Sequence, residues 1–240
     1  MKTADNYKQI TNRFGFYSSI AMTIITLITF GFAMTAVPIS GAFCPGDCIE
    51  YPYLDTLNQY PKDFLWMYFA IFLTIVYVVF IISIHYYASI EKKIFSQAGL
   101  TFSIISAVIL VGAYFIQSSV IPASLMNGET EGVPMLIQYN PHGVFVVLEE
   151  IGYLMMSLSF LFIAFVFTDK SSIEKTIRWI FILAFILTII SFTIITIQHG
   201  IVRKDRFEVA VISIDWLVLI INGILISIVF KRVHKQNRQG

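Results

Sequence analysis

Residues 140–167 read NPHGVFVVLEEIGYLMMSLSFLFIAFVF. The run that follows His142 is apolar enough and long enough to cross a bilayer, which takes about 20 residues. Two adjacent carboxylates, Glu149 and Glu150, nevertheless lie inside it. Asn140 is a good helix cap, and Pro141 suits a first turn because its missing N–H would be unpaired there anyway. The helix is therefore expected to start near His142. At about 1.5 Å per residue, Glu149 and Glu150 then lie about 10–12 Å along the axis, past the interface and short of the bilayer centre.

The rest of the chain has the same character. Of its 240 residues, 57% are hydrophobic and 13% charged, with a mean hydropathy of +0.78. Soluble domains carry about 25% charged residues. The expected fold is an all-α integral membrane protein, a six-transmembrane-helix bundle forming one membrane domain over residues 1–240. The spans are placed near 15–37, 64–88, 98–122, 143–167, 177–197 and 209–230. The apolar run of the first exceeds the roughly 7–15 residues of a signal-peptide core, so it reads as a retained signal anchor.

Basic residues set the direction, because Lys and Arg in short loops favour the cytoplasmic side. Of the 16 Lys and Arg residues, only Lys62, Arg203, Lys204 and Arg206 fall on the side opposite the termini, which leaves 16 − 4 = 12 on the terminal side. Both termini are therefore expected in the cytoplasm of a cell-membrane, multi-pass protein. The loop IVRKDRFE is the main dissent. Trp66, Tyr68, Tyr86, Tyr87 and Trp179 sit near the expected interfaces, where amphipathic rings are favoured.

The inner loops are short and leave no room for a soluble domain. The outer side is larger, with two loops, 38–63 and 123–142, rich in Pro, Gly, Asn and Tyr. Long loops of this kind are expected to be ordered and to carry function. The first holds Cys44 and Cys48 in CPGDC, which reads as a disulfide clip on an oxidising side. Redox catalysis would call for CxxC and a partner dithiol, and neither is present.

Helix six contains VAVISIDWLVLIIN, which places Asp215 about 9 Å in from Val209. Glu149, Glu150 and Asp215 thus have matched expected depths on two helices. Tyr153 follows Glu149 by four residues, Asn222 follows Asp215 by seven, and Gln117 approaches from the third span. Ionisable groups inside spans are costly, usually face the bundle interior, and mark functional sites. The expectation is a polar pocket open to the outside and walled by spans three to six. Glu149, Glu150 and Asp215 would supply negative charge, and Tyr153, Gln117 and Asn222 would orient a ligand. His142 and His199 beside such acids are the candidate ligands for a zinc ion, the cofactor that His and carboxylate suit. No HExxH or comparable spacing supports that metal set. The competing reading is structural: the acids glue helices through hydrogen bonds, or one of them pairs with Arg203, Lys204 or Arg206.

The leading functional reading is a binding or transport protein for a small polar or cationic ligand, or for protons. A second is a membrane-embedded hydrolase or transferase acting on a lipid-like substrate, with a glutamate as base or metal ligand. A third is a non-catalytic subunit or scaffold. No basic, aromatic-laced stretch points to nucleic acid. GxSxG and Gly-rich phosphate loops are absent, and no lysine lies in the interior of the later spans. The bilayer is the expected partner, and a bundle this small is expected to be able to act as a homo-oligomer.

Overall fold

The computed structural model describes residues 2–36, 38–168 and 171–236, with side-chain surroundings for 9–36, 38–168 and 171–234. Val37, the expected end of the first span, lies outside the described residues. The charges of Lys2, Lys8, Lys170, Lys235 and Arg238, used above for orientation, lie outside the described side chains.

Among the described residues the chain is all-helical. Eight α-helices follow one another: α1 (Lys2–Ala33), α2 (Leu65–Tyr87), α3 (Lys93–Phe115), α4 (Ile121–Met126), α5 (Val133–Leu136), α6 (Val144–Ala164), α7 (Ser172–His199) and α8 (Arg206–Gln236). Six of them, α1, α2, α3, α6, α7 and α8, belong to segments long and apolar enough to cross a membrane. They coincide with the six expected spans. A helix is the natural state of such a segment, since it satisfies every interior backbone donor and acceptor within itself.

The long helices close a ring. α1 packs on α2, α2 on α3, α3 on α6, α6 on α7, α7 on α8, and α8 returns to α1. α8 also touches α6 directly, so α7 lies on the outside of that pair. Leu183, Ile186, Leu187 and Ile190 of α7 are accordingly exposed. The core between the other five helices is aromatic, with Tyr77, Tyr114, Tyr153, Phe160 and Trp216 all buried.

Small residues set how closely the helices approach. A Cβ on Gly152 of α6 would stand 2.5 Å from Leu110 of α3. A Cβ on Gly223 of α8 would run into the Thr23 hydroxyl of α1 and stand 3.2 Å from the Ser19 carbonyl oxygen. Ser159 Oγ adds an interhelical bond by donating to the Gly99 carbonyl oxygen at 2.7 Å. Close approach at small residues is the packing that works where lipid offers no hydrophobic drive between helices.

Two ends differ in structure. At one end the chain crosses in two long ordered connections. In the first, Ile49 N–H donates to Ile39 O at 2.8 Å, and Cys44 and Cys48 are joined within the loop so closed, their Cα atoms 6.1 Å apart. The second runs through α4 and α5, after a π-helical turn at Ile116–Val120 that ends α3. At the other end the connections are short, and Ser171 caps α7 by accepting from Glu174 N–H at 3.3 Å, as its position predicts.

Two helix starts differ from expectation. α6 begins at Val144, because Asn140 caps a turn before it: its side chain accepts from His142 N–H at 2.9 Å and donates to Pro134 O at 2.7 Å. α8 begins at Arg206, three residues before Val209. Both shifts change which side chains share a level.

The close approach of α1 and α8 gives the first prediction. Gly223→Ala should cost about 1–3 kcal/mol through overpacking, although alanine is the better helix former. Gly112→Ala, where a Cβ would meet nothing within 4 Å, should leave the melting temperature in detergent unchanged or slightly raised.

Candidate functional site: an acid-aromatic cavity

A cavity of about 410 Å³ opens at the end that carries the disulfide loop. Its walls come from the end of α1, the start of α2, the start of α6, the start of α8 and both long connections. The expected pocket between spans three to six is thus shifted: its helices are the first, second, fourth and sixth spans.

Four carboxyl groups line it: Asp63, Glu149, Asp205 and Glu208. No Lys, Arg or His is among its lining residues. The remaining wall is largely apolar and aromatic, with Phe30, Trp66, Tyr139, Phe145 and Trp216.

Glu149 is the deepest of the acids, with 1% of its surface exposed. Its surroundings form a one-way hydrogen-bond chain. Tyr114 OH donates to Glu149 Oε1 at 2.7 Å. That commits the Tyr114 proton, so Tyr153 OH is the donor in the 2.9 Å bond between the two phenols. Trp216 Nε1–H in turn donates to Tyr153 OH at 3.1 Å. One donor, the Tyr114 hydroxyl, thus reaches the Glu149 carboxyl group directly, and Tyr153 and Trp216 stand behind it in a chain that joins α3, α6 and α8. The other oxygen, Oε2, is buried. Glu208, half-buried on α8, is the neighbour of the Glu149 carboxyl group, by charge and by carboxyl–carboxyl hydrogen bonding.

The two long connections are fastened over the mouth. Asp205 Oδ1 accepts from Ala42 N–H at 2.8 Å, which pins the first connection to the start of α8. Gly41, with φ +81°, is needed at this contact, because any side chain there would collide with the Asp205 carboxyl group. Gln117, on the π-helical turn, holds the second connection. Its amide donates to Leu136 O and its carbonyl accepts from Gln138 N–H at 2.9 Å. Gln138 and Tyr139 are thereby turned into the cavity wall. Burial first, then the charge of Asp63 beside it, push the Tyr139 phenol above its ordinary value, so it stays neutral.

The other residues picked out from the sequence occupy different places. Glu150, next to Glu149, turns away and forms a two-pronged ion pair with Arg203, whose Nε lies 3.2 Å from Oε1 and whose Nη2 donates to Oε2. One of the dissenting basic residues of the last loop is thus held by an acid of α6. Asp215 is buried a layer below, where Ser157 Oγ donates to its Oδ1 at 2.7 Å and Thr188 Oγ1 stands 2.9 Å from Ser157 Oγ. This joins α6, α7 and α8; Asp215 Oδ2 makes no hydrogen bond. Asn222 reaches toward Ile177 O at 3.5 Å, further along α8. His142 and His199 are both exposed, and neither lines the cavity. Among the described residues no group of three or more His, Cys, Asp or Glu is placed to hold a metal ion.

Of the six residues expected to share a pocket, Glu149 lines the cavity, Tyr153 supports it and Gln117 fastens its wall. Glu208, Asp205 and Asp63 were missed. The start of α8 explains Glu208: it lies seven residues before Asp215, hence on the same helical face about 10 Å nearer the mouth. With α8 extended to Arg206, Glu208 rather than Asp215 comes level with Glu149.

No protein-family model, curated protein or solved structure matches this chain. The geometry of the cavity carries the functional reading.

The Glu150–Arg203 pair supplies a prediction. Arg203→Met should cost about 1–3 kcal/mol, because it leaves the buried Glu150 carboxyl group without its hydrogen-bonding partner. Arg203→Met combined with Glu150→Leu should recover most of that loss, measured as chemical or thermal midpoints of the purified protein.

Proposed function

We propose that the protein is a polytopic membrane protein that binds a small cation in the cavity around Glu149, from the non-cytoplasmic side. The distribution of Lys and Arg supports cytoplasmic termini, since only four of 16 fall on the opposite side. The disulfide loop and the cavity mouth then face the outer, oxidising compartment.

The observation that carries the reading is the charge of the lining: four carboxyl groups and no basic side chain. Carboxylates in such a place need a counter-charge or a proton, since isolated charges within a span are expensive. Glu150 has found its counter-charge in Arg203. Glu149 has no basic partner among the residues that line the cavity; beside it stand one direct donor, the Tyr114 hydroxyl, and a second carboxyl group, Glu208. A bound cation completes that arrangement. Transport of the bound cation across the bundle is a natural extension, because Asp215 and Asn222 continue the line of buried polar groups along α8.

Catalysis by a metal-bound water has less support. His142 and His199, its proposed ligands, are exposed and apart from the cavity acids.

The test uses purified full-length protein at constant ionic strength. Melting temperatures and calorimetric titrations are compared across lithium, sodium, potassium, ammonium and tetramethylammonium chlorides. At least one cation should bind and stabilise. Glu149→Gln and Glu208→Gln should each weaken that binding about ten-fold or more, equivalent to about 1.4 kcal/mol. Glu150→Gln should leave it within about three-fold, a change of under 1 kcal/mol. Stabilisation by none of these ions, or binding indifferent to Glu149 and Glu208, would refute the proposal.

A further inference from the structure

The size and walls of the cavity are wrong for a bare ion. At about 30 Å³ of liquid volume per water, 410 Å³ would hold about a dozen waters. Most of these would lie against rings and aliphatic side chains rather than polar groups. Met34, Ile39, Val209 and Ile212 supply the aliphatic wall. The volume falls in the range of about 300–1,000 Å³ that suits small organic ligands.

The aromatic rings are arranged around the acids. Trp216 and Trp66 meet edge to face with centroids 6.4 Å apart, and Phe30 meets Trp216 edge to face at 6.0 Å. Trp66 also stands edge to face against Tyr114, the donor to Glu149, at 5.4 Å. Edge-to-face packing turns the planes of these rings in different directions around the space that Phe30, Trp66 and Trp216 line. Ring faces attract cations that carry their charge under methyl or methylene groups, and carboxylates attract any cation. A cavity with both is selective for the cations that satisfy both. The second sign of a ligand is Glu149 itself, a 1% exposed acid that lines the cavity beside Glu208 with no basic residue among the lining side chains.

We infer that the occupant is an organic ammonium ion with an apolar body, its nitrogen near Glu149 and Glu208 and its hydrocarbon against Trp66, Trp216 and Phe30. This rests on the cation reading of the site and narrows it to a ligand class. A hydrated inorganic ion would use the acids and leave the rings idle. A lipid chain would use the rings and leave four carboxyl groups facing hydrocarbon.

The experiment is a ladder of three probes titrated into the purified protein: tetramethylammonium, benzyltrimethylammonium, and neopentylbenzene, the neutral shape-match of the second. Benzyltrimethylammonium should bind about ten-fold or more tighter than tetramethylammonium, and neopentylbenzene should fail to compete with it. Trp66→Leu should reduce that preference to about three-fold or less while binding of tetramethylammonium persists. Phe30→Leu, a milder change on the other side of the cavity, should lower the preference in the same direction. If small cations bind through Glu149 and Glu208 but benzyltrimethylammonium binds no better, the cation site stands and the organic ligand class is overturned. If neopentylbenzene binds as well as its charged counterpart, charge has no part in recognition, and both the class and the cation site fail.

Discussion

A carboxylate buried among apolar helices must be neutralised, paired or hydrogen-bonded, and the hydrogen-bond chain that reaches Glu149 is built with parts from three helices. Tyr114 on α3, Tyr153 on α6 and Trp216 on α8 form one hydrogen-bond chain that ends on its Oε1. The chain fixes the rotation of each helix about its axis, because a turn of either α3 or α8 would withdraw a donor. It also sets the depth of the cavity floor. The ring of helices, the close contacts at Gly152 and Gly223, and the fastening of both long connections all keep this constellation in register.

The connections are as much a part of the site as the helices. Asp205 and Gln117 are each spent on backbone groups of a connection, Ala42 in one case and Leu136 and Gln138 in the other. Polar side chains near the end of a span thus do positioning work. The result is a mouth bordered by ordered loops, with the disulfide between Cys44 and Cys48 clipping the first of them. Loops held so firmly favour a preformed pocket, which reduces the ordering cost of binding.

The six long helices were legible in the sequence because hydropathy over about 20 residues is a strong signal. The disulfide was legible from CPGDC, and the burial of Glu149 from its place inside an apolar run. The partners of the acids were not, because contact between helices depends on rotation, which hydropathy does not encode. Glu150 differs from Glu149 by one residue, about 100° around a helix, and that rotation sends it to Arg203. Asp215 was given the wrong level by an error of three residues in the start of α8. Trp66 was read as a belt residue at the interface, since nothing in its local sequence distinguishes an interface ring from a cavity wall.

The measurement that tests the account most directly is an experimental density map of the protein in lipid, examined at Glu149 Oε2. The account predicts a cation or an ordered polar ligand between Glu149 and Glu208, bordered by Trp66 and Trp216, with the Tyr114 hydroxyl still donating to Oε1 and the Tyr153 hydroxyl still bonded to Tyr114. A lipid chain filling the space, with the Glu149 carboxyl group closed off by hydrogen bonds from the protein alone, would contradict it.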